Sequence, residues 1–139
     1  MTRRTLAAHT TLSWAESHLG DPYALGGIGP REWDCRGFVS GGLHYVRILP
    51  ANLWPLSEML YERYQAHALT VAAALKTPGA LLFWQRESGA ILHVAFSRGD
   101  GTVIHAAGTP GLGGEPKVCV AAWDAYPWKP TRAVDAFAT

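Results

Sequence analysis

Asp34-Cys35-Arg36-Gly37 places a cysteine where a helix is predicted to begin. The glycine-rich run before it, residues 26–30, is typical of a loop, whereas the apolar run after it, residues 38–46, can continue as a buried helix. Asp34 is a good N-cap, so Cys35 falls in the first helical turn. The unpaired amides and the dipole of that turn favour a thiolate. A structural cysteine does not need this chemistry, so we predict that Cys35 is a nucleophile.

The whole chain has the length and charge of one globular domain. Its 139 residues can bury a core without disulfides, so we expect a single domain over residues 1–139. A formal net charge of +1 favours neither nucleic acid nor a membrane surface as a partner. Polar residues interrupt the segment after Arg4, which argues against a signal peptide, and no apolar run approaches the roughly 20 residues of a membrane span. We therefore expect synthesis in the cytoplasm, with action elsewhere only after delivery by another agent.

Two cysteines are present, Cys35 and Cys119. A bridge between them stays open, but Cys119 lies in an apolar run, residues 118–120, that predicts a strand and favours a buried thiol. No CxxC pair occurs, so a structural zinc site has little support. We expect neither a metal nor another cofactor.

Hydrophobic periodicity predicts an α+β fold, with N-terminal helices packed on an antiparallel sheet. The predicted helices cover residues 5–19, 35–47 and about 57–67, and the continuation of the third helix to Lys76 is undecided. The predicted strands cover residues 80–84, 91–97, 102–107 and 118–123, with a fifth at 132–137. Gly41 and Gly42 weaken the second helix but allow another element to approach it closely.

Six histidines are available as the base that a cysteine nucleophile needs. His93 and His105 differ from the others because both fall inside predicted strands, on faces that are otherwise apolar. Gly99-Asp100-Gly101 separates these strands and reads as a three-residue hairpin loop with Gly101 in the left-handed region. A loop of this length fixes the register of the two strands and places Ala95 opposite His105. The two histidines therefore share one face of the sheet, one diagonal step apart. A shift of one residue would separate them.

The three residues together suggest a Cys-His-His relay. Cys35 would attack an acyl carbon, while His93 would hold the thiolate as an ion pair and later protonate the leaving amine. His105 would orient His93. Asp34 works against this arrangement by raising the pKa of the thiol. A metal site built on the two histidines ranks last, because no third ligand is evident.

Five segments carry a family resemblance in order along residues 7–107. They are LGDPYALGG (19–27), DCRGFV (34–39), PGALLFW (78–84), HVAF (93–96), and GDG (99–101) followed by IHA (104–106). These segments resemble the motifs of the NlpC-type cell-wall endopeptidases, papain-like cysteine peptidases that act on peptidoglycan. The resemblance implies a papain-like fold with Cys35 as nucleophile, His93 as base and His105 as orienting residue. It also implies that Tyr23 lines the site and helps to hold the oxyanion.

Two positions depart from the family pattern. Arg36 stands where the family usually has serine, and Ala80 stands where it commonly has aspartate, a change that affects a local turn. In relatives that trim free stem peptides, the segment matching Asp34 to Arg36 helps to bind the free amine of the substrate. A guanidinium repels an amine and can pair with a carboxylate instead. We therefore expect Tyr23, Asp34 and Arg36 to bind a stem peptide that is still attached to glycan.

The function implied by the resemblance is a cysteine endopeptidase that cleaves peptidoglycan stem peptides at the D-glutamyl–diaminopimelate bond. Such a domain fits a phage lysin, a tail-associated wall hydrolase or a larger secreted enzyme, with other domains or virion proteins as partners. One alternative is an amidase or acyltransferase with the same relay. Another is a catalytically silent wall-binding or virion structural module, although the coexistence of Cys35, His93 and His105 argues against it.

Overall fold

The structure, a computed structural model, describes residues 2–108 and 116–138. Its helices are α1 (Arg3–Ser17), α2 (Cys35–Tyr45), α3 (Ser57–Tyr64) and α4 (Val71–Leu75), and a 3₁₀ turn (Gln65–His67) follows α3. Its strands are β1 (Ala68–Leu69), β2 (Leu81–Gln85), β3 (Ile91–Ser97), β4 (Thr102–Ala107), β5 (Lys117–Ala122) and β6 (Arg132–Val134). Within the described ranges no helix is long and apolar enough to cross a membrane.

The six strands form one antiparallel sheet in the order β1-β6-β2-β3-β4-β5. The predicted α+β class is confirmed, and β2 to β5 pair in chain order as an antiparallel meander. The last strand differs from a simple meander, because β6 crosses back and pairs with β2 rather than β5. The stretch that the sequence left undecided, up to Lys76, contains the two-residue strand β1 and the short helix α4.

The two faces of the sheet bury different clusters. The helices α1 and α2 pack on one face, where side chains of alternate strand residues such as Phe83, Val94 and Phe96 join Phe38 of α2. The opposite face carries Trp84 and Ala95 and is covered in part by α4. Because successive strand residues point to opposite faces, this division places His93 and His105 on the side away from the main helix cluster.

The close approach expected at Gly41 and Gly42 is confirmed. A Cβ atom on Gly42 would lie 2.9 Å from the ring of Phe96 and from the methyl group of Thr11, and one on Gly41 would lie 2.9 Å from the ring of Trp14. The helix α2 is therefore held against both α1 and β3. This packing fixes where α2 begins, and hence where its first residue lies relative to the sheet.

Candidate active site

Cys35 is the first residue of α2, as predicted. Asp34 has the extended backbone of an N-cap, and its Oδ1 accepts a hydrogen bond of 2.6 Å from the amide of Gly37. The sulfur of Cys35 lies 3.9 Å from the hydroxyl oxygen of Ser57, at the start of α3. The backbone amide of Val94 on β3 also hydrogen bonds to this sulfur. The thiol is thus held between a helix end and the strand that carries His93.

The thiol of Cys35 favours its protonated form in the free protein. Burial raises its pKa, and the negative charge of Asp34 raises it further. The amide of Val94, the hydroxyl of Ser57 and the amide of Arg36 act in the opposite direction without overcoming these effects. The helix start by itself therefore does not lower the pKa of Cys35 below its ordinary value, because the effect of burial is larger.

The hairpin between β3 and β4 has the predicted register. Gly101 adopts a φ of 85°, and the amide of Arg98 donates to the carbonyl of Thr102 at 2.9 Å. The pair Phe96 and Ile104 lies in the same register. The strand register predicted from the three-residue loop is thereby confirmed.

As a result, His93 and His105 meet on one face of the sheet. The Nε2 of His93 and the Nδ1 of His105 are 2.7 Å apart, and the side chains are almost completely buried. One of the two nitrogens donates and the other accepts, so the tautomers of the two rings are coupled. Within residues 2–108 and 116–138, the Nδ1 of His93 has no hydrogen-bond partner.

Both imidazoles favour the neutral form. Burial, followed by the neighbouring His105, lowers the pKa of His93 well below its usual value of 6.5. Burial alone lowers the pKa of His105 to about 4. These lowered pKa values, together with the raised pKa of Cys35, disfavour the expected ion pair of thiolate and imidazolium in the free protein.

Tyr126 extends the histidine pair, and this residue was not among those predicted for the site. Its hydroxyl oxygen lies 2.5 Å from the Nε2 of His105, and its side chain is buried. It follows β5 in a segment of turns, 21 residues along the chain from His105. Neither periodicity nor motif spacing marks such a contact, which arises only when that segment folds back over the sheet.

Four of the residues predicted for the site line one cleft of about 460 Å³. They are Tyr23, Asp34, Cys35 and Arg36. Ser57 and Glu58 from the start of α3 also line it, and the sequence indicated only that α3 begins there. The ring of Tyr23 covers Gly108, where a Cβ atom would lie 2.4 Å from its Cζ. Burial raises the pKa of Tyr23, and the nearby Cys35 and Asp34 raise it further, so its hydroxyl stays protonated.

Arg36 is engaged by its own chain. Its Nη1 donates to the carbonyl of Trp54 at 2.9 Å, and its Nε lies 3.3 Å from the Oδ2 of Asp34. Its side chain keeps 21% of its surface exposed. The carboxylate of Asp34 thus has a partner on each oxygen, the amide of Gly37 on one and the guanidinium on the other.

The remaining candidates lie away from the relay. Cys119 and Cys35 are both free thiols. Cys119 is only partly buried, so the prediction of a buried thiol is wrong in extent. The reason is that its strand, β5, lies at the edge of the sheet. His44 bonds to the carbonyl of Leu53, and His18 pairs with Asp21. Among the described residues no group of three His, Cys, Asp or Glu side chains could hold a metal ion.

A helix-end cysteine packed against an antiparallel sheet that carries buried histidines defines a papain-like α+β domain. The model of the NlpC/P60 family matches residues 20–129, and the chain belongs to that family.

Individual relatives agree with this assignment. A probable endopeptidase p60 of Listeria grayi is 35% identical over 92 residues, which make up 66% of this chain and 16% of that protein. Protein P54 of Enterococcus faecium is 30% identical over 94 residues, with the same coverage. The chain thus spans about 16% of the length of these curated relatives.

Solved structures show the same fold. The NlpC/p60 domain of the peptidoglycan hydrolase SagA has a TM-score of 0.67 and 29% identity, over 91% of this chain and 97% of that one. The P60 domain of an antigen from M. avium subspecies paratuberculosis has a TM-score of 0.76 at 21% identity, over 99% of this chain and all of that one. The predicted papain-like fold is confirmed.

Proposed function

We propose that the protein is a cysteine endopeptidase that hydrolyses amide bonds in the stem peptides of peptidoglycan. The observation that carries the proposal is the contact of the Cys35 sulfur with the backbone of β3, next to the buried pair of His93 and His105. Family membership supports it, since one relative is named a probable endopeptidase and another a peptidoglycan hydrolase. A purely structural module has no use for a buried, hydrogen-bonded histidine pair, because burying polar rings costs free energy.

The reaction begins from neutral groups. As the sulfur of Cys35 attacks the acyl carbon, the Nδ1 of His93 takes the thiol proton, and His105 holds the ring through its contact with Nε2. Collapse of the tetrahedral intermediate transfers that proton from His93 to the leaving amine and leaves a thioester. Water, deprotonated by His93, then hydrolyses the thioester and restores the thiol. The hydroxyl of Tyr23, which stays protonated beside Cys35, donates to the oxyanion.

For the substrate we propose a stem peptide still joined to its glycan, cleaved at the D-glutamyl–diaminopimelate bond. A free ammonium group would need the carboxylate of Asp34, but the guanidinium of Arg36 already lies against that carboxylate. The exposed part of the guanidinium repels an amine and attracts a carboxylate of the stem. The same cleft therefore disfavours the free N-terminus of a detached peptide.

The proposed function is tested by mass spectrometry of purified peptidoglycan after treatment with the wild type and with Cys35→Ala. We expect new stem fragments from the wild type alone, and identical product profiles would overturn the proposal. Digestion in H₂¹⁸O distinguishes hydrolysis from acyl transfer. Hydrolysis places ¹⁸O in the new carboxyl group, whereas an acyltransferase would produce a new amide without it.

The proposed substrate is tested by Arg36→Ser, with the exposed Arg3→Ser as matched control. We expect the wild type to digest intact sacculi faster than free muropeptides. In Arg36→Ser the carboxylate of Asp34 becomes available, so cleavage of free muropeptides should rise relative to sacculi. Faster cleavage of free muropeptides by the wild type would contradict the proposed preference.

For delivery to the wall we propose release by phage lysis, incorporation into a virion, or attachment to a larger protein. Attachment to a larger protein is supported by the relatives, because the match covers only 16% of each of them. The test is cell fractionation of the native host followed by detection of the protein and its full length. A free cytoplasmic protein of this length in cells without phage would contradict it.

A further inference from the structure

A tyrosine ends the hydrogen-bonded chain that starts at His93. The hydroxyl oxygen of Tyr126 lies 2.5 Å from the Nε2 of His105, whose Nδ1 in turn lies 2.7 Å from the Nε2 of His93. All three side chains are at most 5% exposed. The four atoms therefore form a continuous path that ends at the Nε2 of His93, on the ring whose Nδ1 the proposed mechanism uses as base.

Trp84 holds this path in place. Its ring packs edge-on against His93 with a centroid separation of 5.1 Å and lies 6.4 Å from the ring of Tyr126. Its indole N–H donates to the carbonyl of Trp128 at 3.2 Å, which fastens the segment that carries Tyr126 to β2. The position of the tyrosine is thus set by a specific anchor rather than by general burial.

Only two arrangements of protons satisfy the path while both rings are neutral. In the first, Tyr126 donates to His105, His105 donates to His93, and the proton of His93 stands on Nδ1. In the second, His93 donates from Nε2 to His105, and His105 donates from its own Nε2 to the tyrosine oxygen. The second leaves the Nδ1 of His93 as a lone pair that can accept the thiol proton.

The second arrangement is also the one that survives protonation of His93. An imidazolium donates from both nitrogens, so the Nδ1 of His105 must accept and its Nε2 must donate to Tyr126. The first arrangement would require every proton on the path to move before the thiol could be deprotonated. A phenol oxygen can accept as well as donate, which is the property that the second arrangement uses.

We propose that Tyr126 is a positioning residue that accepts a hydrogen bond from His105 and thereby keeps the Nδ1 of His93 free of a proton. The proposal rests on the proposed cysteine mechanism. Burial and the nearby Cys119 raise the pKa of Tyr126, so the group that accepts is the neutral phenol. Because burial also keeps His105 neutral, its tautomer is open to control by a single neighbour.

The direct test is ¹⁵N NMR of the imidazole nitrogens in the wild type without substrate. We expect His105 to carry its proton on Nε2 and His93 to carry its proton on Nε2. Protons on the Nδ1 of both rings would overturn the proposal. This measurement does not depend on catalysis, so it stands even if peptidoglycan proves not to be the substrate.

The kinetic test is Tyr126→Phe, which removes the acceptor and keeps the ring. We expect kcat to fall by about 10- to 100-fold with KM nearly unchanged, the size expected when a buried donor loses its acceptor. The His93 proton should move to Nδ1 in the NMR spectrum of this variant. The matched control is Tyr61→Phe, whose hydroxyl makes no hydrogen bond within the described residues, and it should leave kcat unchanged.

A double-mutant cycle separates tautomer control from packing. In His105→Asn the side-chain oxygen can accept from His93 whatever Tyr126 does, so Tyr126→Phe should then lower kcat much less than in the wild type. An equal loss in both backgrounds would mean that the tyrosine acts only through packing and would overturn the proposal. If Tyr126→Phe fails to fold, the ¹⁵N NMR measurement of the wild-type tautomers tests the proposal by itself.

Discussion

The half of the site that carries Cys35 is open and charged, whereas the half that carries the histidines is closed and neutral. Cys35 lines a cleft together with the paired charges of Asp34 and Arg36. His93 and His105 are buried, and both favour the uncharged form. The proposed nucleophile has to meet a substrate, and accessible surroundings suit that role. The proposed base needs a defined proton position, which burial and hydrogen bonds provide.

The difference explains how, in the proposed mechanism, a thiol with a raised pKa acts as a nucleophile. The cleft does not stabilise a thiolate in advance, because burial and Asp34 oppose it. The proton must instead leave during the attack, and this requires a base that is neutral and correctly oriented. The histidines of the closed half are neutral and are held in one orientation by hydrogen bonds, so this half can supply such a base.

The largest effect is expected from His93→Gln, which removes the proposed base and retains a polar side chain of similar size. We expect kcat on peptidoglycan to fall by about 10²- to 10⁴-fold, the usual contribution of a positioned proton acceptor. Steady-state kinetics would measure it, with circular dichroism to confirm folding. His67→Gln, at an exposed histidine, should retain wild-type activity. A near wild-type kcat in His93→Gln would contradict the claim that His93 acts together with Cys35.

The closed half should also control stability in acid. The unfolded chain binds protons on histidine below about pH 6.5, whereas burial holds the folded pKa of His105 near 4 and that of His93 well below 6.5. The unfolded state therefore binds more protons in this range, so the free energy of unfolding should fall as the pH drops from 6.5 towards 4.

Urea unfolding at a series of pH values would measure this fall. His105→Asn removes one of the two buried groups and should give a shallower slope, whereas the exposed His9→Gln should leave the slope unchanged. A free energy of unfolding that is constant between pH 6.5 and 4 would contradict the claim that His93 and His105 are uncharged in the folded protein.

A smaller effect is expected from Gly108→Ala, which acts on the open half through Tyr23. The new Cβ would lie 2.4 Å from the Cζ of Tyr23, so the ring must move away from the cleft. We expect kcat/KM to fall by about tenfold, since small displacements of a positioning group reduce turnover. The control is the same substitution in a Tyr23→Ala background, where it should have little further effect. An equal loss in both backgrounds would show that Tyr23 is not the cause.

The smallest effect is expected from Asp34→Asn, which keeps an N-cap for α2 and removes the charge. Because Asp34 raises the pKa of Cys35, its removal should lower that pKa and move the profile of alkylation rate against pH to lower pH. Iodoacetamide labelling followed by peptide mass spectrometry would measure it. Glu87→Gln, at an exposed position between β2 and β3, serves as control. A shift of the Asp34→Asn profile to higher pH would contradict the stated role of this charge.

The open half was predictable because its geometry is local. An N-cap contacts the amide three residues later, so Asp34, Cys35 and Gly37 identify a helix start without knowledge of the rest of the chain. The histidine pair was predictable for a similar reason. A three-residue loop between two strands fixes the register, and the register fixes which side chains share a face.

The rest depends on contacts between distant parts of the chain. Tyr126 contacts His105 from the segment that follows β5, and Trp84 on β2 hydrogen bonds to the same segment. The return of β6 to pair with β2 has no signature in hydrophobic alternation, which does not identify a strand's neighbour. The raised pKa of Cys35 and the lowered pKa of His93 follow from burial, which is a property of the assembled fold.

The central claim, that the two halves act together, is tested most directly by the alkylation rate of Cys35 in the wild type and in His93→Gln. The rate needs no substrate, and the partly exposed Cys119 reports on reagent and folding in the same sample. If His93 takes the thiol proton during attack, labelling of Cys35 at neutral pH should be slower by about tenfold or more in His93→Gln, with Cys119 unchanged. Equal Cys35 rates in the two proteins would contradict the account.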